Sequence, residues 1–112
     1  MNKIQLDILM LAESVTFNST YSLVLGEKNG NKRFSLVIGK SEAQAIAISL
    51  DGLNPTRPLT HDLMQKSFQV FNIDIIEVII TELKEGIFYS VVVCKKGEII
   101  VDIDSRTSDA IA

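Results

Sequence analysis

IGKSEAQAIA (residues 38–47) and IDSRTSDAIA (residues 103–112) align without a gap at an offset of 103 − 38 = 65 residues. In each, an apolar strand ends, a hydroxyl residue (Ser41 or Thr107) opens a helix, and the helix carries Ala-Ile-Ala. Ser41 followed three residues later by Gln44 has the form of a capping box, whose side chains satisfy backbone N–H groups that a first helical turn leaves unpaired. The first helix is apolar nearly all round, with Ala43, Ala45, Ile46, Ala47, Ile48 and Leu50. Such a helix is expected to be buried on more than one side, by a sheet and, as a further candidate, by a partner subunit.

Each copy of the motif is preceded by three strand-like segments. Ile4, Leu6, Ile8 and Met10 alternate with Lys3, Gln5 and Asp7, the period of a half-buried strand. A polar loop around Asn18-Ser19-Thr20 follows, and then YSLVLGEKNGNKRFSLVIG (21–39), which reads as a hairpin turning at Asn29-Gly30. Phe34, Leu36 and Ile38 share one face of its return strand. Downstream, IDIIEVIITEL (73–83) and GIFYSVVVCKKGEIIVDID (86–104) read as three strands with turns at Lys84-Glu85-Gly86 and Lys96-Gly97. An extra helix lies between the two units, with Thr60 as its N-cap and Met64, Phe68 and Phe71 as an apolar stripe for a core. The expected fold is α+β: duplicated β3–α units forming a curled, barrel-like mixed sheet around buried helices, with one extra helix between the units.

With 112 residues, 46% hydrophobic and 22% charged, the chain has the size and composition of one globular domain, 1–112. No apolar run reaches the ~18 to 20 residues of a membrane helix, and Asp7 interrupts what a signal peptide would keep apolar. A cytoplasmic protein without a membrane partner is expected. Cys94 is the only cysteine, which excludes an internal disulfide and a thiolate metal cluster; SVVVC marks it as a small buried hydrophobe. The net charge of −3 works against broad nonspecific nucleic-acid binding, which relies on Lys and Arg to neutralise phosphates. The final SRTSDAIA reads as a helix that has barely begun, so a C-terminally shortened domain is expected.

The residues with the most distinctive chemistry gather in GLNPTRPLTHDLM (52–64), which holds both prolines and the only histidine. Asn54 and Arg57 each precede a proline and are biased to extended backbone, so Arg57 stands on a stiff strip before a helix start. There it could meet a phosphate, and His61 in the first turn is a residue type suited to general acid or base work. Asp62 would orient His61 or hold a metal; its charge would also repel an anion. The bland alternative is a stiff connector with a capped helix. In GEIIVDID (97–104), Asp102 and Asp104 share a strand face, with Cα atoms roughly 6.5 to 7 Å apart. Arg106 and Asp109 follow. Paired carboxylates can hold a divalent cation such as Mg or Mn, which would activate water for phosphodiester hydrolysis. Alternatively they form a solvated face with Arg106 paired to one of them. Glu42, in a first helical turn, is explained by the helix dipole, and the repeat brings it near the position of Ser108.

IGKSEAQAIA, RPLTHDLM and DIDSRTSDAIA together closely resemble the bifunctional nuclease domain, over about Val37 to Ala112. Ser105 stands where that family commonly has Ala, and Thr107 where it commonly has Pro. The resemblance implies a compact α+β fold with a barrel-like sheet, a homodimer, and nuclease activity on RNA and DNA. Where its motifs coincide with usable chemistry, the candidate site residues are His61, Asp62 and Glu42 as catalytic groups, Arg57 and Arg106 for phosphate, and Asp104 and Asp109 for a divalent cation. The rival expectation is a non-catalytic module that recognises a small anionic ligand or a protein partner.

Overall fold

The computed structural model describes residues 3–13 and 20–112. Asn18 and Ser19 of the expected polar loop lie outside the described residues. Among the described residues, six strands and three helices follow in the order β1 (Leu6–Glu13), β2 (Thr20–Glu27), β3 (Arg33–Gly39), α1 (Lys40–Leu50), α2 (Thr60–Val70), β4 (Asp74–Lys84), β5 (Ile87–Lys96), β6 (Ile99–Arg106) and α3 (Thr107–Ile111). The chain divides into two compact units, Met1–Asp51 and Gly52–Ala112.

The first unit is an antiparallel sheet in the order β1-β2-β3, with α1 packed on β2 and β3. The expected hairpin is present. Lys28–Lys32 link β2 to β3, and the Glu27 N–H donates to the Lys32 carbonyl at 3.0 Å. Leu23 pairs with Leu36, and Leu25 with Phe34, so alternation gathers one apolar face. Leu23, Leu25, Leu36 and Ile38 are buried there, and α1 adds Ala43 and Ile46. Val37, on the other face of β3, is exposed.

The alternation expected in β1 holds for Leu6 and Ile8 and then slips. Ile8 pairs with Leu25 and Met10 with Val24, leaving Leu9 as the extra residue of a bulge. One added residue exchanges the two faces. Met10 is consequently exposed and Leu11 half-buried.

The second unit is an antiparallel sheet in the order β4-β5-β6, with α3 against all three strands. Both expected turns form. Glu85 and Gly86, at φ 53° and 78°, make a two-residue connection in which both residues are left-handed. Gly97, at φ 60°, opens the next turn, after which Ile99 pairs with Lys96. Ser90, Val93, Cys94 and Thr107 are buried, and Cys94 takes the interior position expected of it. The stripe on α2 does not form a core: α2 has no fully buried residue, Met64 and Phe71 are exposed, and Phe68 is half-buried.

The expected α+β fold with a curled, barrel-like mixed sheet around buried helices is therefore corrected. The protein is mostly β, with 50% strand and 26% helix, built on two separate three-stranded sheets that are antiparallel throughout. The connections explain the direction of the strands. The hairpins of two to five residues that link β2 to β3, β4 to β5 and β5 to β6 can join only antiparallel neighbours, whereas a parallel pair needs a long crossover. The duplication survives as two sheets, each ending in a helix.

The register of the repeat also changes. Both hydroxyl residues were expected to cap their helices, but the caps are Gly39 and Arg106, with α1 starting at Lys40 and α3 at Thr107. Aligned on helix starts, Ser41-Glu42-Ala43 falls on Ser108-Asp109-Ala110, two residues away from the match at 38 and 103. Among the described residues, no helix is long and apolar enough to cross a membrane.

Candidate functional site

Each helix carries a carboxylate at the third position of its first turn: Glu42 in α1, Asp62 in α2 and Asp109 in α3. That position faces the unpaired N–H groups of the helix start, where a negative charge is favoured. The three acids are used differently. The Asp62 Oδ2 accepts the Leu59 N–H at 2.9 Å, which makes Leu59 the N-cap and Thr60 the first helical residue. Thr60 was the expected cap; a carboxylate reaching back from the third position replaces its hydroxyl. Glu42 is buried, and its carboxylate lies over Gly39, so that a Cβ at Gly39 would stand 2.6 Å from Oε2.

Asp109 instead meets two side chains. The Arg106 guanidinium donates from Nε to Asp109 Oδ2 at 2.8 Å, and its second terminal nitrogen stands 2.8 Å from the same oxygen. The other oxygen, Oδ1, faces His61 Nε2 at 3.7 Å. That separation exceeds a hydrogen bond but lies within the reach of an ion pair when the imidazole is protonated. The cluster joins the first turn of α2 to the end of β6 and the first turn of α3. His61 is one-fifth exposed, Asp109 39% and Arg106 72%, a gradation from a sheltered imidazole to an open guanidinium.

His61, Arg106 and Asp109 of the expected site therefore converge. Arg57 lies on the exposed bend preceding α2, where no hydrogen bond or ion pair ties it to another described residue. Asp104 is exposed on β6, on the strand face that also carries Asp102 and Arg106. Arg106 pairs with Asp109, three residues ahead in the first turn of α3. Glu42 belongs to the first unit, with its carboxylate at the start of α1.

Asp104 and Asp109 do not assemble the ligand set of a resident divalent cation. Among the described residues, no three His, Cys, Asp or Glu side chains gather where a metal ion could be held. Asp109 also commits one oxygen to Arg106. A cation held by carboxylates ordinarily needs further oxygen ligands from the protein, the substrate or water.

One polar residue beside this cluster escaped the reading of the sequence. Ser90 is completely buried in β5, where its hydroxyl meets that of Thr107 at 2.5 Å. The available signal was a lone hydroxyl opening the apolar run Ser90-Val91-Val92-Val93-Cys94.

A family model described as the bifunctional nuclease domain matches residues 23–112, extending the resemblance seen from Val37 back into β2. All seven candidate residues lie inside that match. Two uncharacterized proteins of Mycobacterium tuberculosis, from strains CDC 1551 / Oshkosh and ATCC 25618 / H37Rv, are each 38% identical over 90 residues. The aligned region is 80% of this chain and 53% of each relative, so the chain spans about half the length of the curated relatives it matches.

Proposed function

We propose that this chain, which belongs to the bifunctional nuclease domain family, hydrolyses phosphodiester bonds of RNA, DNA or both with His61 as its proton-transfer group. The supporting observation is Asp109 Oδ1 at 3.7 Å from His61 Nε2, in a cluster whose outer member is an exposed arginine. A carboxylate beside an imidazole orients the ring and stabilises the imidazolium formed when it takes a proton. A water would lose its proton to His61 as its oxygen bonds to phosphorus. The phosphorus–oxygen bond on the leaving side then breaks, and the leaving oxygen takes a proton from the imidazolium. Arg106, held by Asp109, and the exposed Arg57 supply cationic N–H groups to the phosphate oxygens. Asp62 and Glu42 enter as carboxylates that set helix starts.

The test is cleavage of single-stranded RNA and single-stranded DNA by the full-length protein and by His61→Ala, each with Mg2+, with Mn2+ and with a chelator. General acid–base catalysis contributes roughly 10²- to 10⁴-fold, so His61→Ala should lower the rate by at least about 10²-fold. Cleavage at the wild-type rate would remove His61 from the mechanism. Dependence on an added cation would point to an ion carried by the substrate phosphates. The homodimer implied by the family and the cytoplasmic location expected from the sequence belong to the same proposal, and light scattering of the purified protein tests the former.

A second reading is favoured by the net charge of −3 and by the Asp109 carboxylate lying on Arg106. In it the cluster binds a small anionic ligand or a protein partner without turnover. Saturable binding with no cleavage under any of these conditions would select it.

A further inference from the structure

The position of Asp109 depends on a very short element. Helix α3 has five residues, Thr107–Ile111. So short a helix has few backbone bonds of its own and takes its orientation from what anchors it. One anchor is the last rung of the β5–β6 ladder, Tyr89 with Arg106. The other is made of side chains. Thr107, the first helical residue, donates from Oγ1 to the Phe88 carbonyl at 3.3 Å. A threonine has a single hydroxyl proton. With that proton on Phe88, the contact of 2.5 Å between Ser90 Oγ and Thr107 Oγ1 has Ser90 as its donor. The order is therefore Ser90 O–H to Thr107 O–H to the Phe88 carbonyl. Ser90 is 0% exposed and Thr107 5%, so water cannot replace these bonds without the strand and helix separating. Asp109 lies two residues beyond this anchor, in the same helical turn.

We propose that Ser90 and Thr107 are positioning residues for the site: their buried hydroxyl relay fixes the start of α3 so that Asp109 Oδ1 faces His61. The inference rests on the reading of His61 as the working group, since only then does the placement of Asp109 affect a rate. Among the described residues, Asp109 faces His61 from α3 and itself carries the Arg106 guanidinium, while Asp62 on its own helix is turned to the Leu59 N–H. A shift of the α3 start would change the surroundings of His61 through Asp109.

His61 is the only histidine of these 112 residues, so within them its ring gives a single set of carbon–proton NMR signals. At fixed pH, Asp109→Asn marks the ring position without the carboxylate. Thr107→Val keeps the side-chain shape without the hydroxyl, and should move the His61 signals in the same direction. Thr107→Ser, which retains the hydroxyl, should restore them. With substrate, Thr107→Val should lower kcat roughly 10- to 100-fold, as misplacement by about 1 Å does elsewhere, and leave KM within about twofold. Ser90→Ala removes only the first donor and carries the same test if Thr107→Val does not fold. A folded Thr107→Val protein with wild-type His61 signals would overturn the inference, whatever His61→Ala does to cleavage. If the signals move as expected while the wild-type protein cleaves no nucleic acid, the positioning role stands and the nuclease reading fails.

Discussion

His61 and Asp62 are adjacent, yet their side chains serve opposite ends of one helix start. Asp62 turns back to the Leu59 N–H, while His61 reaches Asp109 of another helix. Their substitutions should therefore separate. Asp62→Ala removes a capping acceptor and should cost about 0.5 to 2 kcal/mol of stability, read by urea denaturation, with cleavage retained in the folded protein. A rate that falls as far as in His61→Ala would return Asp62 to the chemistry. Residue types were legible from the chain: a lone histidine before an acid, and an arginine three residues before another. Which acid would meet His61 was not. Asp62 and Asp109 occupy equivalent positions in their helices, and only the group opposite each one distinguishes a cap from a site carboxylate.

At the scale of elements, the helices α1, α2 and α3 begin earlier than their hydroxyl residues suggested, and in α2 the third-position acid Asp62 accepts the N-cap N–H. A Ser or Thr in the cap role needs its side chain just outside the helix. Here Gly39, Leu59 and Arg106 take that place, and Ser41, Thr60 and Thr107 are drawn inside. Gly39 is tied to Glu42, whose carboxylate occupies the space of an absent Cβ. Gly39→Ala should cost about 1 kcal/mol in the wild type and less when Glu42 is already alanine, a non-additivity measurable by a double-mutant cycle. Equal costs in both backgrounds would show that the contact carries no energy. The six strands and three helices were readable from period and turn chemistry. The bulges at Leu9, Ile76 and Thr81 were not, because an inserted residue leaves composition unchanged while exchanging the faces beyond it.

Across the whole molecule, duplicated β3–α sequence was read as one curled sheet, whereas two antiparallel sheets form. Alternation identifies the apolar face of a strand but does not specify which sheet it joins; that depends on ladders between residues far apart in the chain. The charge balance sets a second expectation at this scale. A net charge of −3 with two arginines among the candidate residues leaves few phosphate contacts. For single strands, the log–log salt dependence of binding should then have a slope of magnitude about 2 or less. A much steeper slope would require a cationic surface beyond Arg57 and Arg106. The central claim, that His61 works through Asp109, is tested most directly by a double-mutant cycle on the cleavage rate with His61→Ala, Asp109→Asn and the two combined. The account predicts that adding Asp109→Asn to His61→Ala causes no further loss, because groups acting as a unit are non-additive. Losses that simply multiply would show that the two residues act independently and would contradict it.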